Sequence, residues 1–64
     1  MTYRIRNLRT GLFFAGVDPD MLVSEWCFAG NAMAVPIDYP TPMLAADAVA
    51  QYDLDPVEIV EVAS

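Results

Sequence analysis

Catalysis needs a base, a nucleophile or a bound metal, and this sequence supplies few candidates for any of them. It contains no His and no Lys. Its serines are Ser24 and Ser64, and neither stands in a nucleophile motif such as G-x-S-x-G. Cys27 is the one thiol, but with no His to activate it, and with Trp26 and Phe28 beside it, it reads as a buried core residue. Two short carboxylate pairs, Asp18-Pro19-Asp20 and Asp53-Leu54-Asp55, offer the oxygen ligands that calcium or magnesium takes. Neither has the further ligands and turn glycine of a calcium loop, so both read as turn and cap residues. No catalytic residue, metal site or cofactor is expected.

The chemistry that remains is charge. Arg4, Arg6 and Arg9 are the only basic side chains, and the nine acids all follow them in the chain, giving a net charge of −6. Direct nucleic-acid binding is excluded on sign, because phosphates attract Lys and Arg and repel carboxylates. The three Arg are expected to balance acids across a sheet. Some negative charge serves solubility, but a long stretch without any opposing cation goes beyond that need and points to a basic partner. The largest basic surfaces in a cell are those that bind DNA or RNA, and a compact acidic body can occupy one. Strand residues two apart lie about 6.6 Å from each other on one face, a spacing loosely like a phosphate array. The candidate contact residues are Asp47, Asp53, Asp55, Glu58 and Glu61, with Asp18, Asp20 and Glu25 as an extension. The alternative is a set of acids that are merely solvated.

These side chains must be positioned by a small fold. A chain of 64 residues makes one domain, residues 1–64, and buries only about 60% of its unfolded surface. Apolar residues make up 56% of it, ample for a core. "TYRIRNL" alternates, with Tyr3 and Ile5 on one side and Thr2, Arg4 and Arg6 on the other, the period of a strand with one wet face. Asn7 to Gly11 supplies turn chemistry, and "LFFAG" returns as a second strand. Asp18-Pro19 breaks it, with Pro19 placed to begin a short helical turn. "SEWCFA" favours a third strand, continuing toward "AMAV" at residues 32–35.

Thr41 is a good N-cap and Pro42 suits the first helical position. Leu44, Ala45, Ala48, Val49 and Tyr52 then recur on one helical face, opposite Asp47 and Gln51. Asp53-Leu54-Asp55-Pro56 ends the helix, since Pro56 cannot continue it, and "VEIVEV" closes the chain as a strand. The expected fold class is α+β, a small antiparallel sheet of three to four strands with one helix packed on it, in the order βββαβ. Trp26, Phe14, Ile5, Ile59, Val49 and Leu44 are expected to share the core.

A single Cys cannot form an internal disulfide, the N-terminus lacks the apolar run of a signal peptide, and no apolar stretch is long enough to span a membrane. These features give the expectation of a complete small intracellular protein.

"YRIRNLRTGLFFAG", "EWCFAG", "TPMLAADAVAQY" and "VEIVEV", taken with the size and acidity, resemble the small stand-alone proteins of bacteriophages and other mobile elements. Within that group the chain resembles anti-CRISPR proteins, particularly inhibitors of type I systems, type I-C among them. These inhibitors share no general motif, so the resemblance carries over no site residue. It implies a monomeric inhibitor without catalysis in the cytoplasm of the infected bacterial host. Such a protein binds a crRNA-guided surveillance complex (Cascade) at its basic DNA-binding surface and keeps target DNA out as a DNA mimic. The alternative, from another class, is a structural or accessory phage protein that associates through an exposed sheet edge or apolar patch.

Overall fold

The computed structural model describes residues 1–18, 20–21, 23–27 and 35–62. The chain forms β1 (Thr2–Asn7), β2 (Phe13–Val17), β3 (Ser24–Cys27), α1 (Pro42–Tyr52) and β4 (Val57–Val62). The strands make one antiparallel sheet in the order β3-β2-β1-β4, and the element order is the expected βββαβ. Pro19 and the proposed strand continuation through residues 28–34 lie outside the described residues; Val35 itself is in no strand. No helix among the described residues is long and apolar enough to cross a membrane.

Local chemistry sets the first turn. The Asn7 side-chain oxygen accepts from the backbone N–H of Arg9 at 2.8 Å and of Thr10 at 3.3 Å. Gly11 takes a φ of +76°, a conformation that costs a residue without Cβ little, and its N–H donates to the Asn7 carbonyl. β1 and β2 then meet at the Arg6–Phe13 register pair. Beyond that point residues 37–39 lie between them. Ile37 N–H donates to the Phe14 carbonyl, while Tyr39 and Tyr3 exchange two backbone bonds of 2.8 Å. The segment that precedes the helix therefore pairs with both strands.

Strand register defines two faces, because directly opposed residues point the same way. Ile5, opposite Ile59, faces α1 and is fully buried. Phe14, 1% exposed, packs its ring against Trp26 at 5.5 Å in a T-shaped contact and against Tyr52 at 5.7 Å. Aromatic pairs in this range stabilise beyond the area they bury. Ala45, Ala48 and Leu54 complete the buried cluster, with Trp26, Val49, Ile37, Tyr39 and Val57 packed against it. Cys27 is buried, as its apolar neighbours suggest.

Two expected core members differ. Leu44 is 46% and Ile59 is 38% exposed. The helix rests on the sheet through Ala45 and Ala48, whose small side chains form the centre of the contact stripe and leave Leu44 on its flank. Ile59 faces the helix side, but β4 is an edge strand, so only β1 shields it laterally.

The helix start is as expected: Thr41 caps it, its hydroxyl accepting from Leu44 N–H at 3.2 Å, and Pro42 follows. The end falls at the first residue of the expected stretch, residues 53–56. Asp53 adopts the left-handed conformation (φ 54°, ψ 50°), and the N–H groups of Asp53 and Leu54 both turn back to the Val49 carbonyl. The bond from Leu54 closes a Schellman-type cap, and Leu54 itself is buried in the core cluster against which Val49 packs.

Burial also acts on Tyr39, pushing its phenol pKa above the usual value, with neighbouring Tyr52 adding to the effect. A folded-state pKa above the unfolded one favours the native state fully below about pH 10, and that contribution is lost as pH rises through the folded pKa. Tyr39→Phe is therefore expected to flatten the alkaline limb of a stability-against-pH curve above pH 10, measured by urea unfolding, and to leave the neutral region nearly unchanged. An unaltered alkaline limb would assign that loss to another group.

Candidate functional site

The sheet alternation separates the charges. Arg4 and Arg6 project from the face of β1 opposite Ile5, away from α1, and each finds a carboxylate there. Arg4 donates from Nε to Asp38 Oδ1 at 2.6 Å and lies over the Phe13 ring, 5.7 Å from its centroid. The hydrogen bond to Asp38 holds the Arg4 guanidinium more firmly protonated than usual, against a smaller opposing effect of burial. Arg6 donates to Glu58, its direct cross-strand neighbour on β4. Each exposed pair contributes only about 0.2–1 kcal/mol, but together they spend two cations on this one face.

Asp18, Asp20, Glu25, Asp47, Asp53, Asp55 and Glu61 have no cationic partner among the described residues. Asp47 is exposed on α1, and Asp53 and Asp55 are exposed where the helix gives way to β4. Glu61 is opposite Tyr3, on the helix side of the sheet. Asp18 is partly engaged, its carboxylate accepting from the N–H of Asp20 at 2.9 Å and, at 3.4 Å, of Met21. Trp26 packs on the helix-side Phe14, so Glu25, the residue before it in β3, faces the other way.

Of the five acids that lie close in sequence near the C-terminus, the structure keeps Asp47 and Glu61 on the helix side, with Asp53 and Asp55 at the end of α1. Glu58 separates from them. It precedes Glu61 by an odd number of strand positions, so the two point to opposite faces, and Glu58 is held by Arg6. The Arg4–Asp38 pair has no signal in the sequence, since 34 positions separate its members and residues 37–39 reach β1 through a non-local bridge.

One concave feature adjoins these acids. The C-terminal end of α1 (Gln51, Tyr52, Asp53) and the β2–β3 connection (Val17, Val23, Ser24) border an open groove of about 550 Å³. Its shape follows from the hairpin bond between Asp18 N–H and the Val23 carbonyl, and from Tyr52 leaning on Phe14. Among the described residues no three Cys, Asp or Glu side chains gather as a metal-binding group. No protein-family model, curated protein or solved structure matches the chain.

Proposed function

We propose that the chain is a non-enzymatic inhibitor that occupies the basic, DNA-binding surface of a type I crRNA-guided surveillance complex and blocks target DNA as a mimic. It acts as a monomer, without a cofactor, in the cytoplasm of the infected bacterium. The observation that carries this reading is the segregation of charge. Arg4 and Arg6 are consumed by Asp38 and Glu58 on the face away from α1, while Asp47, Asp53, Asp55 and Glu61 stand without cations on or beside the helix side. A surface of one sign steers association with a surface of the other and makes it salt-dependent. The resemblance to type I anti-CRISPR proteins supplies the class of partner.

The test is a target-DNA shift assay with the surveillance complex. Combined Asp47→Asn, Asp53→Asn and Glu61→Gln is expected to raise the concentration needed to block DNA by roughly tenfold, mainly through slower association, and to flatten the salt dependence. Arg4→Gln with Arg6→Gln is expected to leave inhibition intact. The reverse pattern, with the acid variant fully active and the Arg variant inactive, would overturn the reading and move the contact to the sheet face of β1.

A second reading, assembly through a sheet edge, is favoured by β4. Leu8 N–H donates to the Pro56 carbonyl, whereas Tyr3 and Asn7 turn their backbone groups away from β4. By the alternation of an antiparallel ladder, Val57, Ile59 and Glu61 then direct their N–H and C=O groups to the open edge, beside a partly exposed Ile59. Oligomers that persist in high salt would select this reading over the monomeric inhibitor, because backbone pairing and apolar burial are not screened as charges are.

A further inference from the structure

We infer that the groove between the end of α1 and the β2–β3 connection receives an arginine side chain of the protein partner, an inference that rests on the inhibitor reading above. The groove has the two parts such a side chain requires. Val17, Val23 and Tyr52 form an apolar wall; Val23 is 55% and Tyr52 43% exposed, so the wall is open to a visitor. An arginine stem buries its methylenes on such a surface while its head remains polar.

At the rim stands a concentration of uncompensated negative potential. The N–H groups of Asp53 and Leu54 both go to Val49, so among the described residues no backbone N–H reaches the carbonyls of Ala50, Gln51 or Tyr52. Those carbonyls are the negative end of the helix dipole, where a basic residue is favourable. The last turn contains none, and the residue that follows it is Asp53.

Asp53 is poorly suited to that position for folding alone. It takes a left-handed backbone that Gly or Asn adopts at lower cost, and its carboxylate opposes the dipole. A planar guanidinium resolves the conflict. It can donate to the terminal carbonyls and to the Asp53 carboxylate together, and lie against the Tyr52 ring as cations do on aromatic faces. Asp47 and Glu61, by contrast, do not border the groove.

The test uses the full chain, labelled for amide NMR, titrated with the blocked peptide acetyl-Gly-Arg-Gly-amide and with its citrulline counterpart, which keeps the shape and removes the charge. The Arg peptide is expected to shift the amides of Val17, Val23, Ser24 and Gln51 to Asp53, and the citrulline peptide to leave them nearly unmoved. Asp53→Asn, which retains access to the left-handed backbone, is expected to weaken the Arg peptide by about three- to fivefold, the scale of one exposed charge pair. Asp47→Asn, outside the groove lining, is expected to leave the affinity for the Arg peptide unchanged, whatever its effect on DNA blocking. Equal responses to both peptides, or shifts spread over Asp47, Glu61 and the groove alike, would overturn the inference. The two proposals fail separately: localised binding without any block of target DNA removes the inhibitor reading, whereas DNA blocking that Asp53→Asn leaves untouched removes the groove.

Discussion

Phe14→Ala is expected to cost about 3–5 kcal/mol, which is as much as a core of this size commonly supplies. Phe14 is 1% exposed and contacts Trp26 from β3 and Tyr52 from α1, so its ring joins the outer half of the sheet to the helix. Truncation removes the contact area and leaves a void that three elements cannot close together. Circular dichroism at room temperature is expected to show a largely unfolded chain with no cooperative melt. Trp26 emission provides a second measure, since losing the ring beside it and unfolding both expose the indole. A melt close to that of the unaltered chain would mean that the helix packs on the sheet independently of Phe14.

Ile5→Ala and Ile59→Ala are expected to differ sharply although the two residues are direct register partners on the same face. Ile5 is fully buried on a central strand, and its truncation is expected to cost about 2–5 kcal/mol. Ile59 retains 38% exposure on the edge strand, and its loss is expected to cost roughly 1 kcal/mol, since fewer of its methyl groups leave water on folding. Urea unfolding of the two variants gives the comparison directly. Equal losses would require a shield over β4 in solution, as the edge-assembly reading provides, and the concentration dependence of the Ile59→Ala transition would then reveal it.

The contrast between these isoleucines shows where sequence reading reaches its limit. Alternation in "TYRIRNL" and "VEIVEV" identifies strands and orients Ile5 against Arg4 and Arg6, because period-2 patterning is local. It says nothing about which strand is central. The sheet order places β1 inside and β4 at the edge, and that is decided by pairings between opposite ends of the chain. The helix start was legible from Thr41-Pro42, a local capping signal. Its end was legible to the stretch 53–56, which Pro56 marks; the left-handed cap at Asp53 itself was not, because Asp carries a weaker signal for that conformation than Gly.

The candidate site divides in the same way. Nine acids against three Arg are visible in composition, but the expectation that the Arg balance acids across the sheet holds only for Arg6 with Glu58: Arg4 reaches Asp38 outside the strands, and Arg9 has no carboxylate partner among the described residues. Glu58 and Glu61 look equivalent until strand parity sends them to opposite faces. The groove could not be read at all, because Val17, Val23 and Tyr52 become neighbours only when the helix crosses back over the hairpin.

The position of β1 has a consequence for the timing of synthesis. Its flanking partners are residues 37–39 and β4, apart from the single register contact with β2. β1 thus becomes central only when β4, made later, arrives, and every β1–β4 pairing spans at least 50 positions. At ribosomal rates of about 5–20 residues per second, β1 waits roughly 3 to 11 seconds between its own emergence and that of its partner. During that interval the apolar face of Ile5 has no β4 beside it and no finished helix above it. Chains released before residue 57 are thus expected to be substrates for cellular proteases, and protease resistance is expected to appear in one late step, once β4 has left the ribosome.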